Sequence, residues 1–339
     1  MKNLLIPVLA ITMLMGISSC KGTTGGSSST KAYTSTISGK QGDVLVVINN
    51  DYWNSTLGQM VRDSLTAEYP MLPQSEPYFR VSNVPHSGFT TMFQMQRNIL
   101  RIDIGPDNAN KVTYRKNVWA TPQCVVELKA EDYNQAEALF MKNAANIRSM
   151  IEGTERERII SNNERFSSPA TEYEVQKIFG GSPVFPKDTK IFKQTDNFIW
   201  LATTNTDYIK KYIILYKYPV QKGVQMMGKE NLVEENLKAI NSNIPGTREG
   251  SFMTHSKYID PTVQYLKYKD KALAEIRGLW EVENDYMGGP FITHVLYSPD
   301  GKYMIGIEGF VYAPKHDKIE HIRDVEAIVY SFKWAGSEN

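Results

Sequence analysis

The 339-residue sequence has only two cysteines and almost no net charge, since 38 lysines and arginines face 37 aspartates and glutamates, a net charge of +1. Phosphate neutralisation needs clustered basic residues, so this balance removes nucleic acid from the expected partners. Glycine-rich phosphate loops and Gly-x-Ser-x-Gly elbows are also missing. His316 and His321 lie five positions apart, not the four that put two imidazoles on one helix face. We therefore expect neither a metal site nor a cofactor.

The first twenty residues have the pattern of a bacterial lipoprotein signal peptide. Met1–Asn3 is a short basic start, and Leu4–Met15 is an apolar stretch too short to cross a bilayer core of roughly 30 Å. The segment ends in Ile17–Cys20, which resembles a lipobox, in which small residues precede the cysteine that takes the lipid. We predict lipidation at Cys20. The alternative is an ordinary signal peptide in which Cys20 is incidental.

Residues 21–40 are rich in glycine, serine and threonine, which predicts a flexible tether between the lipid and the fold. Cleavage removes Lys2 and no acidic residue, so 37 basic residues would balance 37 acidic ones in the mature chain. A chain without net positive charge has no overall attraction to anionic lipids, so acyl chains and not a basic patch are expected to hold the protein at its membrane.

Cys124 is then the remaining free thiol, which excludes an intramolecular disulfide. It lies in Gln123–Val126, a run typical of a strand. A nucleophilic role is one interpretation. The apolar context favours the other, in which Cys124 is a small buried hydrophobic residue.

The rest of the chain alternates predicted strands and helices in two halves. Val44–Ile48 is a continuous apolar strand of the kind covered on both faces, and a long helix is predicted to begin after Asp132. Gly180–Pro183 interrupts the pattern between the halves. We predict an α+β fold of two units, each a mainly antiparallel sheet packed with helices, at residues 41–170 and 185–335.

The two halves have a comparable order of strands, helix, further strands and a closing helix. Asp317 and Glu320 form a capping-box pattern that predicts the start of the last helix. Asn117–Pro122 and Gly309–Pro314 stand in comparable places, and this weak similarity indicates an internal duplication of the α+β unit.

Two charged stretches have simple structural interpretations. Glu155–Arg158, at the end of the long predicted helix, is expected to form a solvated face with local ion pairs. Glu275, Arg277, Glu281 and Glu283 alternate along a predicted strand, which favours cross-strand charge pairing over a pair of catalytic carboxylates.

A hairpin turn at Ser298–Gly301 predicts where the next polar residues lie. If the turn is type I with Gly301 as a left-handed bulge residue, Ser298 pairs with Lys302. His294 then faces Gly306, and Glu308 is its diagonal neighbour on the same face of the sheet. Gly306 would leave space beside the histidine for another group.

We predict from this register a pocket formed by five side chains, Trp280, Asp285, His294, Glu308 and Tyr312. A histidine beside a carboxylate can do acid–base work or orient a polar ligand. The alternative is that His294 and Glu308 form a structural pair or lie on a wetted sheet face.

Six segments together resemble an uncharacterised lipoprotein family of Bacteroidota, known as a domain of unknown function. They are Leu72–Pro77, Asn117–Ala120, Asn197–Leu201, Arg277–Trp280, Met287–Phe291 and Glu308–Pro314. The resemblance implies a lipoprotein of the cell envelope and carries no catalytic residue with it. In that phylum, acidic residues after the lipidated cysteine accompany surface export. Lys21–Thr24 has none, which implies the periplasmic face of the outer membrane.

These observations favour a lipid-anchored envelope protein that acts as a binding or assembly module, not primarily as an enzyme. Its 19 tyrosines, 13 phenylalanines and 5 tryptophans offer surfaces for an envelope protein or glycan, while catalytic motifs are missing. The alternative is a periplasmic hydrolase that acts on cell-wall or glycan material through His294, Glu308 and Asp285.

Overall fold

The computed structural model describes residues 35–269 and 271–336. The predicted signal peptide, Cys20 and most of the predicted tether lie outside these residues. The described end of the tether belongs to the fold, because the Ser38 amide donates to the Met95 carbonyl at 2.8 Å. The tether prediction is therefore wrong for residues 35–40. None of the helices in the described ranges is both long and apolar enough to cross a membrane.

The N-terminal half contains a five-stranded sheet with helices on it. The strands of this half of the chain are β1 (Ser35–Thr36), β2 (Asp43–Val47), β3 (Arg80–Val84), β4 (Asn98–Ile104), β5 (Lys111–Lys116), β6 (Ala120–Thr121) and β7 (Cys124–Ala130). Its helices are α1 (Asn50–Trp53), α2 (Thr56–Leu65), α3 (Thr91–Gln94), a 3₁₀ turn at His86–Gly88, and α4 (Tyr133–Arg165). The sheet order is β3-β2-β4-β7-β5, and β1 pairs separately with β6.

Strand β2 is central and buried, as its apolar run predicts. Helices α2 and α4 cover one face of the sheet, where Leu57, Phe140 and Ile147 are buried. A smaller cluster that includes Leu45 and Val125 covers the other face. Cys124 is a buried free thiol, and burial raises its pKa, which disfavours the reactive thiolate.

The C-terminal half is built on an eight-stranded sheet. Its helices are α5 (Pro169–Phe179), α6 (Lys229–Asn243) and α7 (Ile319–Tyr330). Its strands are β8 (Gly181–Ser182), β9 (Lys190–Gln194), β10 (Phe198–Asn205), β11 (Lys210–Pro219), β12 (Met253–His255), β13 (Thr262–Tyr268), β14 (Lys271–Val282), β15 (Gly288–Tyr297), β16 (Tyr303–Tyr312) and β17 (Lys333–Trp334). The order is β12-β14-β15-β16-β11-β10-β9, β13 also pairs with β14, and β17 pairs with β8.

This large sheet is covered on both faces, which explains the apolar character of its central strands. Ile213 and Ile307 point to the face on which α7 packs, through Val325 and Val329. Alternate residues point the other way, to the face covered by α6 through buried residues such as Leu232. Polar groups on either face of the central strands are therefore buried.

The α+β class with mainly antiparallel sheets is confirmed. The N-terminal sheet differs in detail, because β2 pairs in parallel with β3 and with β4, and β4 pairs in parallel with β7. The eight-stranded sheet is antiparallel throughout. A duplicated unit would share its strand directions, so the two sheets argue against the internal duplication.

Helices α4 and α7 are capped differently at their N-termini. Asp132 caps α4 as predicted, since its carboxylate accepts from the Gln135 amide at 2.8 Å. The predicted cap of α7 by Asp317 is wrong. Buried Glu76 instead accepts from the amides of Lys318 and Ile319 at 2.7 to 2.9 Å, and a carboxylate there also complements the helix dipole. The first half of the chain thus caps the last helix.

Candidate functional site

The register of the β15–β16 hairpin differs from the predicted one. Ser298 donates its amide to the Tyr303 carbonyl, so four residues, Pro299–Lys302, form the loop. His294 therefore faces Ile307, and Thr293 faces Glu308. A shift of one residue moves side chains to the opposite face of a sheet. His294 and Glu308 lie on opposite faces, and the predicted His–Glu pair is wrong.

The loop is longer than expected because side chains hold its last residues. The Ser298 hydroxyl accepts from the Tyr303 amide at 3.0 Å, and the Asp300 carboxylate accepts from the Lys302 amide at 3.1 Å. Gly301 has φ +68°, the left-handed conformation that the prediction assigned to it. The turn was thus predictable, whereas its loop length was not.

The other three members of the predicted pocket are partly brought together, but not with His294 and Glu308. Trp280 is buried, donates to the Val311 carbonyl at 3.2 Å and lies beside Tyr312, with 6.3 Å between ring centroids. Asp285 lies in the loop after β14, where it accepts from the Thr247 hydroxyl. Trp280 and Asp285 line one open cavity of about 470 Å³, which includes neither His294 nor Glu308.

Glu308 belongs to a buried polar group under α6. One of its oxygens, Oε2, accepts from Asn236 Nδ2 at 2.5 Å and from the Thr293 hydroxyl at 2.8 Å. The other, Oε1, is buried without a partner among the described residues. His255 Nε2 lies 2.7 Å from Asn236 Oδ1 and extends the group. Because Gly306 has no side chain, the Tyr216 ring packs directly against it. The Tyr216 hydroxyl accepts a hydrogen bond from Asn236.

Burial raises the pKa of Glu308 to about 7, although Asn236 and Thr293 oppose the shift. Between pH 4.5 and 7 the folded protein therefore holds a proton that the unfolded chain releases. The contribution of Glu308 to the unfolding free energy falls as pH rises through this window, by about 3 kcal/mol in total. Burial lowers the pKa of His255 to about 4. The contribution of His255 to the unfolding free energy is therefore lost as pH falls.

Glu308→Gln carries no titrating proton at this position. We expect the unfolding free energy of the variant, relative to wild type, to rise by about 3 kcal/mol between pH 4 and pH 8. Urea denaturation at the two pH values measures this difference. Glu234→Gln, on the exposed face of α6, should show no such trend. A difference for Glu308→Gln that stays constant with pH would contradict the assignment.

His294 faces the opposite side of the sheet, where it meets α7. Its Nε2 lies 3.2 Å from Glu275 Oε2, which also accepts from the Tyr330 hydroxyl at 2.6 Å. The imidazole lies against the Tyr330 ring, with 4.3 Å between centroids. Burial lowers the pKa of His294 despite Glu275, so the ring is neutral at pH 7. It acts there as a buried donor to a carboxylate.

Glu275 lines a cavity of about 570 Å³, which we call the tyrosine cleft. Helices α4 and α7 and strands β13 and β14 surround it. Its walls include the rings of Tyr69, Tyr78, Tyr268 and Tyr330, and its charged lining consists of Arg148, Glu152, Arg156, Lys267, Glu275, Arg277 and Glu326. None of the four tyrosines was predicted as a site residue.

The floor of the tyrosine cleft is an ionic network centred on Glu326. Its Oε1 accepts from Arg156 at 2.5 Å, and its Oε2 accepts from Arg277 at 3.0 Å and from the Tyr69 hydroxyl at 2.6 Å. Arg277 also donates to Glu275 at 2.7 Å. Glu326 is 2% exposed. Burial alone would raise its pKa, but Arg277 and Arg156 lower the pKa of Glu326 to about 2, so it is ionised.

Local geometry explains why these residues meet. On each helix, positions four apart share a face, which places Glu152 with Arg156 and Glu326 with Tyr330. On β14, Glu275 and Arg277 are two apart and share a face of the sheet. Glu275 meets His294, its cross-strand partner on β15, at 3.2 Å, whereas Arg277 pairs with Glu275 along the strand and with Glu326 of α7. Arg156 is also mostly buried, not on a solvated face.

The buried charges of the network balance. Three arginines, Arg156, Arg277 and Arg323, face three glutamates, Glu152, Glu275 and Glu326. Arg148 adds a further positive charge at the rim. It donates to the Ser64 carbonyl at 3.2 Å and lies over the Tyr78 ring. No carboxylate oxygen of a described residue lies within 4.0 Å of it, so an anion from outside can be its partner.

Within residues 35–269 and 271–336, no group of three or more histidine, cysteine or carboxylate side chains is arranged to hold a metal ion. The tyrosine cleft combines aromatic walls with guanidinium groups held by carboxylates, an arrangement that can receive a polar ligand.

Sequence comparisons match each half of the chain to a family model of unknown function. Residues 167–331 match a domain of unknown function (DUF4837), and residues 37–164 match another domain of unknown function (DUF8532). The predicted resemblance to a family of unknown function is confirmed by these matches. No curated protein matches the sequence.

Solved structures are similar to the chain only in part. One from Bacteroides thetaiotaomicron VPI-5482 has 11% sequence identity and a TM-score of 0.26, over 47% of each chain. The human StarD13 (DLC2) lipid transfer and protein localization domain has 12% identity and a TM-score of 0.22, over 49% of this chain and 95% of that one. Similarity at this level does not establish a shared fold.

Proposed function

We propose that the protein is a lipid-anchored binding module of the cell envelope, and that its ligand is an acidic glycan held in the tyrosine cleft. The anchor is the lipid on Cys20, and the fold faces the periplasm from the outer membrane. The observation that carries the proposal is a concave site in which aromatic rings surround a charge-balanced floor, with Arg148 at its rim.

The walls of the cleft suit sugar rings. Tyrosine combines an apolar ring face with a polar hydroxyl, so it can pack against the face of a sugar and bond to its edge. Tyr78 and Tyr268 are partly exposed at the cleft, whereas Tyr69 and Tyr330 are buried and tied to Glu326 and Glu275. The first pair is therefore available to a ligand, and the second pair shapes the floor.

The floor favours binding without large rearrangement. Each guanidinium of Arg156 and Arg277 is held by a carboxylate, so neither side chain must be ordered when a ligand arrives. Sites whose polar groups are already fixed lose less entropy on binding. Because the internal charges balance, the extra charge of Arg148 selects for an acidic group on the ligand.

A concave, charged site favours a glycan over a flat protein partner, whose interface core is usually depleted of charge. No described geometry favours the hydrolase alternative, because His294, Glu308 and Asp285 do not line a common cavity. His294 is neutral and engaged with Glu275. We therefore propose binding and not hydrolysis.

Replacing Arg148 tests the proposed ligand site. We expect Arg148→Met to weaken binding of acidic envelope glycans by about tenfold, because a charge-assisted contact is lost while the apolar stem is kept. Isothermal titration of size-fractionated envelope glycans into the full-length protein in detergent measures the affinity. Arg165→Met, at the exposed end of α4, is the matched control. Equal affinities for the two variants would contradict the proposal.

The anchoring part of the proposal has its own test. Radiolabelled palmitate should enter the wild-type protein in the cells that produce it, and should not enter Cys20→Ala. Incorporation into both proteins alike, or into neither, would overturn lipidation at Cys20. The glycan-binding experiment does not depend on this result.

A further inference from the structure

A second cavity lies on the other side of the two helices that form the tyrosine cleft. It has a volume of about 400 Å³ and is bordered by α4, β10, β11 and α7. Asp324 lines it, only two positions from Glu326 on α7, and two positions correspond to about 200° around a helix. The two cavities are therefore separate sites on opposite faces of α7. We call the second one the amide pocket.

The amide pocket is named after Asn163, whose side chain lines it. Asn163 is 8% exposed and lines the cavity. Within the described part of the chain, its side-chain amide makes no hydrogen bond, and its polar atoms are not among the fully buried ones without a partner, so they are reachable from the cavity. Thr203 and Thr204 line the same cavity. The Thr203 hydroxyl donates to the Lys211 carbonyl at 3.3 Å and can still accept a hydrogen bond. The pocket thus presents amide and hydroxyl groups that can bond to the hydroxyls of a ligand.

The pocket also carries an excess of positive charge. Arg97 and Arg158 share one carboxylate, that of Glu155, at 2.5 and 3.1 Å. Lys211 pairs with Asp324 at 2.8 Å. Three cations thus face two anions, and all three cationic side chains are less than 20% exposed. Burial, together with the neighbouring Arg97, lowers the pKa of Arg158. An uncompensated charge in such surroundings attracts an anion.

We propose that the amide pocket is a second ligand site, for a monosaccharide that carries an anionic group. The anion, a carboxylate or a phosphate, compensates the excess charge of Arg97 and Arg158. The sugar hydroxyls bond to Asn163 and the two threonines. A volume of about 400 Å³ lies within the range of small-ligand sites. The site requires both halves of the chain, because Arg97 and Arg158 come from the first and Lys211 from the second.

Titration calorimetry on the full-length protein in detergent tests this proposal. The probes are glucuronate, glucose 1-phosphate, glucose and inorganic phosphate, so that the carboxylate and phosphate sources are distinguished. We expect at least one anionic sugar to bind about tenfold more tightly than both glucose and inorganic phosphate. Asn163→Ala should weaken that binding about tenfold, whereas Asn146→Ala, at an exposed position of α4, should leave it unchanged.

A third variant separates the two cavities. Arg148→Met, in the tyrosine cleft, should leave binding of the anionic monosaccharide unchanged. Because Asn163 makes no internal hydrogen bond, Asn163→Ala should melt no lower than wild type, which separates loss of binding from loss of fold. The proposal is overturned if neither anionic sugar binds, if inorganic phosphate binds as tightly as they do, or if Arg148→Met and not Asn163→Ala abolishes binding.

Discussion

Glu326→Gln is expected to lower the unfolding free energy by about 3 to 5 kcal/mol, because it leaves buried arginines without their shared carboxylate. Arg156 donates to no other carboxylate within 4.0 Å in the described ranges, while Arg277 keeps Glu275. Glutamine has nearly the same shape as glutamate, so the effect reports the lost charge and not a cavity. Urea denaturation at pH 7 measures it.

The pH dependence of the same variant adds a diagnostic. The pKa of Glu326 is lowered to about 2 in the folded protein, so its stabilising contribution is present above the unfolded value of about 4.5 and is lost as pH falls toward 2. The difference between wild type and Glu326→Gln should therefore shrink below pH 4.5. Glu320→Gln, on the exposed side of α7, should cost no more than about 1 kcal/mol. A similarly small cost for Glu326→Gln would contradict the network.

Gly306→Ala is expected to destabilise the protein by about 3 kcal/mol, the upper end of the usual cost of overpacking a core. A Cβ atom at this position would lie 2.1 Å from a ring atom of Tyr216. That ring is buried on the α6 side of the sheet, where its hydroxyl bonds to Asn236. Moving the ring would break this hydrogen bond, so either the bond is lost or strands β11 and β16 must shift.

Gly153→Ala is the matched control for this substitution. Gly153 lies within α4, and a Cβ there would meet no atom within 4 Å. The change should stabilise the protein by about 0.5 to 1 kcal/mol, because alanine favours helix more than glycine does. Thermal and urea denaturation of both variants measure the contrast. Equal stability of Gly306→Ala and wild type would show that the Tyr216 ring does not lie against Gly306.

Local signals predicted much of the fold. The apolar run Val44–Ile48, the capped start of α4 after Asp132 and the turn with left-handed Gly301 all depend on residues close together in sequence. Such signals act through neighbouring backbone groups, and they appear in the structure where they were expected. Parallel pairing in the first sheet has no equivalent local signal, because its strands are joined through distant crossovers.

The site was harder to predict, for two physical reasons. The hairpin register depends on loop length, and Lys302 as a fourth loop residue placed His294 and Glu308 on opposite faces. The tyrosine cleft depends on contacts between remote segments, since Tyr69, Arg277 and Glu326 are brought together from three parts of the chain. A pattern within one element cannot reveal such a meeting.

The charged stretch at Arg156 shows the same limit. Its spacing on α4 fits an exposed helix face equally well, and only the packing of α7 and β14 against it buries the guanidinium. A tyrosine four residues after Glu326, on the face of α7 that also carries apolar residues, was the sequence signal closest to the site.

The most direct test of the central claim is tyrosine footprinting of the full-length protein with and without its own envelope glycans. Hydroxyl-radical labelling read by mass spectrometry should show protection of Tyr78 and Tyr268, which line the tyrosine cleft. Tyr173 and Tyr208, which are 61% and 68% exposed outside it, should be labelled equally in both samples. Protection of Tyr173 or Tyr208 without protection of the cleft tyrosines, or no protection at all, would contradict a glycan site in the tyrosine cleft.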